Sequence, residues 1–387
     1  MQKVTLKLKP GNRARVLKGH PWVFAGEVER LLPDSMNGQG VALIDARGHL
    51  LGSGIYNRQS KIIWRRYSRK DQPFDRSFLQ LALEASLQRR DLFDYGRLAW
   101  SEADHLPGLV VDKMGNAVVV QAMTCAMDQQ LPTIIEVLQK KLNPVTIVLR
   151  NDAPTRQYEG LPLEIQTIGD PESVRGWHTI DNVDYYLDLS SSHKTGFYLD
   201  QREQHRRIAQ LAPGRKVLDA FCNQGSFALH CARAGASSVL AIDVSEKCCQ
   251  QVSQNAEQNQ LAVEVQCANM FDWFTEHKNE RFDLIILDPP SFARNKGAVE
   301  GALRGYKELN LRALNMLNTG GILATYACSQ TISESLFFEL LIAAAQDARV
   351  EARLIEKTGQ PADHPVLLNV PETHYLKGAI LAVQGNW

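Results

Sequence analysis

The stretch KVLDAFCNQGSFALHCARAG (Lys216–Gly235) decides the fold. It contains an apolar strand that ends near an acid, a short turn with one glycine, and a helix. The same alternation continues through SVLAIDVS, EKCCQQVSQNAEQNQL, AVEVQCAN, FDLIILDPP and GGILATYAC, as far as residue 328. Continuous apolar strands separated by helices are typical of parallel sheets covered on both faces. We therefore predict an α/β domain with a doubly wound, mostly parallel sheet over residues 186–387.

Residues 1–72 have a different pattern, with short candidate strands (KVTLKLKP, GVALIDARG, LLGSGIYN and KIIWRRYS) separated by glycine and asparagine. Turn signals at intervals of about 8–12 residues predict a small all-β barrel or sandwich. This segment carries 14 Lys and Arg against 5 Asp and Glu, a net charge of +9 in a chain whose formal charge is zero. The asymmetry favours a module that binds a polyanion, although a solvated basic surface without a partner fits the same pattern.

Aromatic residues lie among these basic residues, at Trp22, Phe24, Tyr56, Trp64 and Tyr67. Aromatic faces can stack on unpaired bases while basic side chains bind phosphate. The same rings could instead fill a small core. For Trp22 and Phe24 the sequence favours neither alternative.

The segment 73–185 is predicted to be a compact α+β middle domain. An amphipathic helix (DRSFLQLALEASLQRRDLF) comes first, followed by two strands in GLVVDKMGNAVVVQAM with a Gly-Asn turn between them. A helix around QLPTIIEVLQKKL and a strand, TIVLR, complete it. No catalytic cluster is recognisable in this segment.

Composition limits the class of protein. Hydrophobic residues make up 44% and charged residues 22% of the chain, which is ordinary for a folded protein. No run approaches the roughly 18 apolar residues of a membrane span, and we expect no signal peptide because the basic N-terminus lacks an apolar region. Seven cysteines without paired or metal-ligand spacing indicate a reducing compartment. We predict a cytoplasmic protein with no membrane partner and no metal.

Functional residues are predicted at the ends of successive strands. Asp219 precedes a turn with Gly225, and this glycine admits a ligand to the helix N-terminus. Because the turn contains only one glycine, it does not match the dinucleotide-binding fingerprint. Asp243, about 20 residues further on, is placed to accept bonds from ribose hydroxyls. Asn269 could bind an adenine edge, and Asp288 is held rigidly by two following prolines. A single acid at a strand end is usually a turn residue, but the series outlines an S-adenosylmethionine (SAM) cleft with a target base beside it.

Motifs along nearly the whole chain resemble the RlmI-type family of 23S rRNA 5-methylcytosine methyltransferases. The resemblance lies in RVLKGHPWVFAGEV, SEADHLPGLVVDKMGN, RNDAPTRQYEGL, HKTGFYLDQR, LDPPSF, RGYKELN and ADHPV…PETHYLKG. It implies an N-terminal PUA-like RNA-binding domain (1–72), a central domain (73–185) and a Rossmann-like class I methyltransferase domain (186–387). It also implies SAM as cofactor and ribosomal RNA, 23S by the resemblance, as partner.

The resemblance extends the predicted SAM contacts to Tyr198, Gln201 and Phe221, besides the strand-end residues Asp219, Gly225, Asp243, Asn269 and Asp288. Two positions depart from the family pattern. Ser226 stands where a second glycine is usual, and Asn269 where an acid is usual. Asparagine can still bond to adenine through its donor and its acceptor. The sequence leaves open whether the chain forms a homodimer.

Cys328, at the end of GGILATYAC, is the predicted nucleophile. C5 of cytosine is a poor nucleophile, so an enzyme that methylates it adds a thiolate to C6 first. A parallel sheet would place Cys328 on the strand beside the one that ends at Asp288, which we predict to orient the base. The family's matching Ser-Cys-Ser segment, here Ala-Cys-Ser, implies the same role. A lone cysteine is more often a small core residue.

Two rival functions stay open at this point. One is a methyltransferase that acts on a ring or exocyclic nitrogen of a base, which would need no cysteine. The other is an RNA-binding ribosome-assembly factor whose SAM cleft is vestigial.

Overall fold

A computed structural model describes residues 4–11, 14–90, 94–192, 194–292 and 299–386 of the 387-residue chain. The chain divides into two compact units, each assembled from separate segments. The first unit contains residues 1–176, 187–199 and 362–373, and the second contains residues 177–186, 200–361 and 374–387. The predicted boundaries after residues 72 and 185 stay predictions.

The first sheet of the first unit is built from the predicted basic segment. Its strands are β1 (Thr5–Lys7), β2 (Trp22–Val23), β3 (Gly40–Ile44), β4 (Leu50–Tyr56) and β5 (Trp64–Ser68). They lie in the order β1-β3-β4-β5-β2 around a core that includes Leu6, Val41 and Trp64. The four strands predicted in this segment are confirmed, each shorter than its sequence pattern.

Two of the basic segment's aromatic residues illustrate the alternatives that the sequence left open. Trp22 is partly buried, and its indole N–H donates to the Glu102 carboxylate over 2.7 Å. Phe24 keeps 37% of its surface exposed. Tyr56, Trp64 and Tyr67 are buried, so these three fill the core.

The second sheet of the first unit is the predicted α+β segment. Its elements are α1 (Arg76–Gln88), β6 (Tyr95–Trp100), β7 (Leu109–Met114), β8 (Ala117–Ala122), α2 (Cys125–Gln129), α3 (Leu131–Leu142), β9 (Thr146–Asn151) and β10 (Glu164–Gly169). The sheet order is β10-β9-β8-β7-β6. Strands β6 and β10 were not predicted from the sequence. β6 carries a buried arginine, Arg97, and β10 is a largely exposed edge strand, so neither shows the apolar pattern of a typical strand.

Buried ion pairs explain one of the central motifs that carry the family resemblance. Arg97 donates to both carboxylate oxygens of Asp112 over 2.7 and 2.8 Å, and Arg90 donates to both oxygens of Asp104 over 2.9 and 2.7 Å. All four residues are buried. Breaking such a pair leaves an uncompensated buried charge, which costs about 3–5 kcal/mol. These motif residues therefore stabilise the middle segment.

Strands β11 (Arg175–Ile180) and β12 (Val183–Asp188) form a two-stranded ribbon, and a boundary between the two units falls within each of them. The late segment 362–373 returns to the first unit. There Glu372 accepts hydrogen bonds from Arg15 over 2.8 Å and contacts His20 over 3.0 Å. Burial alone would raise the pKa of Glu372, but these two partners hold it at about 2.

The second unit has a seven-stranded sheet of order β15-β14-β13-β16-β17-β19-β18. Its elements are α4 (Arg202–Ala209), β13 (Lys216–Ala220), α5 (Ser226–Arg233), β14 (Ser238–Asp243), α6 (Glu246–Gln258), β15 (Glu264–Cys267), α7 (Met270–Glu276), β16 (Phe282–Leu287), α8 (Val299–Met316), β17 (Leu317–Cys328), α9 (Glu334–Ala348), β18 (Val350–Gly359) and β19 (Leu376–Asn386). The first five strands of the sheet order are parallel, and β19 runs antiparallel to β17 and to β18. The predicted mostly parallel, Rossmann-like sheet is confirmed.

Helices cover both faces of this sheet. Apolar residues of α4, α5 and α6, such as Ile208, Phe227 and Val252, pack on one face, which we call the α5 face. Residues of α7, α8 and α9, such as Trp273, Leu309 and Phe337, pack on the other. Among the described helices, none is long and apolar enough to span a bilayer.

Candidate active site

Four predicted residues lie at one edge and on one face of the second unit's sheet. Side chains alternate between the faces of a strand, and Val217, Ala241, Ile286 and Tyr326 all pack on the α5 face. The residue two positions beyond each of them is Asp219, Asp243, Asp288 and Cys328, respectively. The four strands concerned (β14, β13, β16, β17) are consecutive in the sheet and parallel. The prediction that Cys328 ends the strand beside Asp288 is confirmed.

The loop between β13 and α5 has an unusual backbone. Phe221, Asn223 and Gly225 have φ values of 65°, 51° and 85°. A Cβ atom on Gly225 would lie 2.8 Å from Cγ1 of Val252 in α6. Glycine is therefore required here both by the left-handed backbone and by contact with a helix. Strained loops of this kind persist where the surrounding structure fixes them, and they cluster at ligand sites.

Asp243 is fixed by the same loop. One carboxylate oxygen accepts a bond from the Asn223 backbone N–H over 3.0 Å, and the other accepts from the Ser245 N–H over 2.9 Å. The side chain is half-buried. Each oxygen keeps a lone pair that can accept a further bond from a ligand hydroxyl.

Asp219 has a carboxyl group that the protein only partly satisfies. Oδ2 accepts from the Ala228 N–H in the first turn of α5 over 2.9 Å, while Oδ1 has no hydrogen-bond partner among the described residues. Complete burial raises the pKa of Asp219 well above its usual range, and the charges of Asp288 and Asp243 add to the effect. Burial therefore favours the protonated form, which can donate as well as accept a hydrogen bond.

Gln201, three residues after Tyr198, is buried, with 3% of its surface exposed. Neither its amide oxygen nor its amide nitrogen has a hydrogen-bond partner among the described residues. A buried polar group left unpaired costs about 1–3 kcal/mol, so such groups usually bind a ligand or water. Gln201 and Asp219 both fit a site that a polar ligand completes.

The other predicted SAM contacts have varied surroundings. Asn269 is exposed and caps α7, where its Oδ1 accepts from the Phe271 N–H over 2.9 Å. Phe221 is partly buried against the face opposite to α5. Tyr198 belongs to the first unit, where the Lys194 ammonium lies 4.3 Å from its ring centroid. The SAM contacts of these residues stay predictions.

The surroundings of Cys328 include residues to which sequence reasoning gave no role. Lys377 of β19 donates to the carbonyl oxygens of Ser329 and Tyr375 at the end of the same strand pair. Burial raises the pKa of Tyr306, and the charges of Cys328 and Asp288 add to this, so Tyr306 lies near both. Tyr306 and Lys377 occur in RGYKELN and HYLKG, two motifs of the resemblance, which could have pointed to them.

Cys328 is partly exposed. Several other thiols are in environments that keep them neutral. Burial raises the pKa of Cys222 well above its usual range, raises the pKa of Cys249 to about 11, and also raises the pKa values of Cys125, Cys231 and Cys248. A thiolate is the reactive form, so these five cysteines are poor nucleophiles. No cluster of potential metal ligands occurs in the ranges that the structure describes.

Comparisons with known proteins agree with this architecture. A PUA-like domain family matches residues 6–69, and an S-adenosylmethionine-dependent methyltransferase family matches residues 160–374, more than half of the chain. Ribosomal RNA large subunit methyltransferase I of Serratia proteamaculans is 35% identical over 97% of this chain and 98% of its own length. The chain belongs to this family. The enzyme of the same name from Erwinia tasmaniensis is 36% identical over the same shares.

Solved structures support the fold of this chain. SMU.776, described as a methyltransferase complexed with S-adenosylhomocysteine (SAH), superposes with a TM-score of 0.83 at 20% identity, over 99% of this chain and all of the other. Trm5b from Pyrococcus abyssi superposes with a TM-score of 0.53 at 15% identity, over 71% of this chain and 75% of the other. The chain is thus a SAM-dependent methyltransferase with a PUA-like domain. The buried, unpaired groups of Gln201 and Asp219 fit hydrogen bonds with a polar cofactor.

Proposed function

We propose that this methyltransferase modifies C5 of a cytosine in the RNA of the large ribosomal subunit, 23S rRNA, through a covalent adduct with Cys328. One observation carries the proposal: Cys328 and Asp288 end neighbouring parallel strands on the same face of the sheet. A nucleophile and a group that orients the base would then face a substrate from the same side. The names of the curated relatives support ribosomal RNA as the substrate class.

The cofactor SAM supplies an electrophilic methyl group. In this proposal Asp243 accepts bonds from the ribose hydroxyls, and Asn269 binds the adenine edge. Gln201 and Asp219 use their unpaired polar atoms for the remaining polar groups of the cofactor. Gly225 admits the cofactor to the N-terminus of α5, where free N–H groups favour negative charge. Phe221 and Tyr198 would supply apolar contact.

Cys328 supplies the step that activates the base. Its thiolate forms a bond to C6, and the C5–C6 double-bond electrons move toward C5 and N3, so that C5 can take up the methyl group. A base then removes the C5 proton, the double bond re-forms, and the sulfur leaves as a thiolate. In its protonated form Asp288 donates a hydrogen bond to N3, which fixes the ring in this orientation and stabilises the charge that moves toward N3. Because Pro289 follows Asp288, that turn offers no second cysteine for the release step.

The first unit provides the proposed RNA-binding surface. The segment 1–72 has a net charge of +9 and matches the PUA-like family over residues 6–69. Its basic side chains would bind phosphate. The exposed ring of Phe24 is available to stack on an unpaired base.

The function is tested by incubating the protein with methyl-labelled SAM and 23S rRNA that lacks the modification, and by identifying the labelled nucleoside with mass spectrometry. The expected product is 5-methylcytidine at one position. Label on a nitrogen of the base would favour the enzyme class that needs no cysteine. SAM binding without transfer to free rRNA or to assembled subunits would favour a non-catalytic assembly factor.

Asp243→Ala is expected to weaken SAM binding by roughly tenfold or more, because a hydrogen bond to a charged group contributes about 1.5–3 kcal/mol. Calorimetric titration with SAM measures the change. Asp272→Ala is the matched control, since Asp272 is an exposed carboxylate on α7. Wild-type affinity in a folded Asp243→Ala protein would remove Asp243 from the cofactor site.

Gln201→Leu is expected to weaken SAM binding by roughly tenfold while the SAM-free protein keeps, or gains, thermal stability. The reason is that none of the described residues gives this buried amide a hydrogen bond that the substitution would remove. The two measurements are a SAM titration and a melting curve without ligand. Gln210→Leu, at the exposed end of α4, is the control. A large loss of stability with unchanged SAM affinity would show that Gln201 is a structural residue.

A further inference from the structure

Lys377 lies beside the proposed nucleophile on the neighbouring strand. In the antiparallel register of β17 and β19, Lys377 is opposite Ala327 and Leu376 is opposite Cys328. The ladder continues to Ser329, whose N–H donates to the Tyr375 carbonyl over 3.0 Å. The Lys377 side chain donates hydrogen bonds from Nζ to the carbonyl oxygens of both Ser329 and Tyr375. Its ammonium therefore lies at the ends of these two strands, against the carbonyl group of the residue that follows Cys328.

This ammonium is buried without a carboxylate partner. Only 3% of the Lys377 surface is exposed, and no carboxylate of the described residues forms an ion pair with Nζ. Buried charges are normally paired, because desolvation of a lone ion costs several kcal/mol. Two carbonyl dipoles offset part of that cost. A negative charge on the Cys328 sulfur would offset more of this desolvation cost.

The groups around Lys377 support an interaction with the sulfur. Burial lowers the pKa of Lys377 to about 8, and negative charge at Cys328 and then at Glu334 acts in the opposite direction. Glu334 already pairs with Lys357 over 2.8 Å. Burial lowers the pKa of His374, which favours its neutral form, and burial raises the pKa of Tyr306. Asp288, which follows the neighbouring strand β16, brings a further negative charge to this region and opposes ionisation of Cys328. A positive charge on Lys377 would compensate the ionised Cys328 sulfur.

We propose that Lys377 is a positioning residue that holds a positive charge beside the Cys328 sulfur and thereby favours the thiolate. The inference rests on the proposed function, because it assigns Lys377 a role only if Cys328 reacts. When the thiolate forms, the Cys328 proton passes to solvent and Lys377 keeps its own proton. Lys377 does not touch the base in this scheme. Its effect on methyl transfer acts through the charge state of the sulfur.

The test measures the rate of alkylation of Cys328 by iodoacetamide as a function of pH, with each cysteine followed by peptide mass spectrometry. No RNA or SAM is present. In the wild-type protein we expect the alkylation rate of Cys328 to reach half of its maximum at a pH below about 8.5, the pKa of a free cysteine. Lys377→Met should raise the midpoint by about one unit and slow alkylation at pH 7 about tenfold. Lys377→Arg should restore the wild-type profile, which a merely structural role would not predict.

Three controls keep the result interpretable. Lys357→Met removes a nearby exposed ammonium and should leave the Cys328 profile unchanged. Cys267, which is exposed, serves as an internal reference for reagent and pH effects. Lys377→Gln retains N–H donors for the two carbonyls, so it replaces Lys377→Met if the latter does not fold. A wild-type midpoint at or above 8.5, or an unchanged profile in the folded uncharged variants, would overturn the proposal.

The alkylation profile does not depend on methyl transfer, so the two proposals can fail separately. If Cys328→Ala still methylated cytosine C5, the proposed mechanism would fail even with the expected alkylation profile. If Cys328→Ala were inactive but Lys377→Met left the profile unchanged, only the role of Lys377 would fail.

Discussion

Cys328→Ala is expected to lower the rate of C5 methylation by roughly a thousandfold or more, because the nucleophile has no substitute in covalent catalysis. The variant should also lose a second property. RNA with 5-fluorocytosine at the target should form an adduct with the wild-type protein that survives denaturation, since fluorine cannot leave C5 as a proton does. Denaturing gel electrophoresis after incubation with SAM shows the adduct, and labelled SAM gives the rate.

The control for this experiment is Cys267→Ala, which removes the exposed thiol at the end of β15. It should retain both the adduct and the activity. Cys328→Ala should also keep its fold and its SAM affinity, because the thiol acts only on the base. A Cys328→Ala protein that still produced 5-methylcytidine would make Cys328 a core residue and would favour a different mechanism.

Asp288→Ala should lower kcat by roughly 10²–10⁴-fold, the range for a side chain that hydrogen-bonds a reacting group in the transition state. The two prolines after Asp288 hold the carboxyl group at the sheet edge, so no other group can easily replace it. Single-turnover methylation with saturating SAM and RNA measures the effect on the chemical step.

Asp272→Ala removes an exposed carboxylate from α7 and should leave kcat near the wild-type value. SAM affinity of Asp288→Ala must be measured alongside, since Asp288 is also a predicted cofactor contact. A loss of SAM binding with normal turnover at saturation would assign Asp288 to the cofactor alone.

The sequence predicted the part of the site that depends on local patterns. Strands β13, β14, β16 and β17 contain short apolar runs, and in a parallel sheet their carboxyl ends meet at one edge. That rule alone was enough to group Asp219, Asp243, Asp288 and Cys328, and the structure places all four at this edge. The predicted identity of the ligands that bind them required the family resemblance.

The rest of the site depends on distant parts of the chain. Strands β18 and β19 were not predicted, and the register of β19 against β17 places Lys377 opposite Ala327, 50 positions earlier in the sequence. A basic residue after a histidine, a tyrosine and a leucine gives no local sign of such a pairing. In the same way, the buried ion pairs of Asp104 with Arg90 and of Asp112 with Arg97 join residues that lie 14 and 15 positions apart, and no local pattern indicates them.

The division of each unit into separate segments affects how the chain folds during synthesis. Domains usually fold in order from the N-terminus as they leave the ribosome, at about 5–20 residues per second. Here the first unit includes residues 362–373, and Arg15 bonds to Glu372 across a sequence separation of 357. Its last segment therefore emerges only after residues 200–361 of the second unit have been translated. The PUA-like end of the chain is made first but completed almost last, so the two units finish folding at nearly the same time.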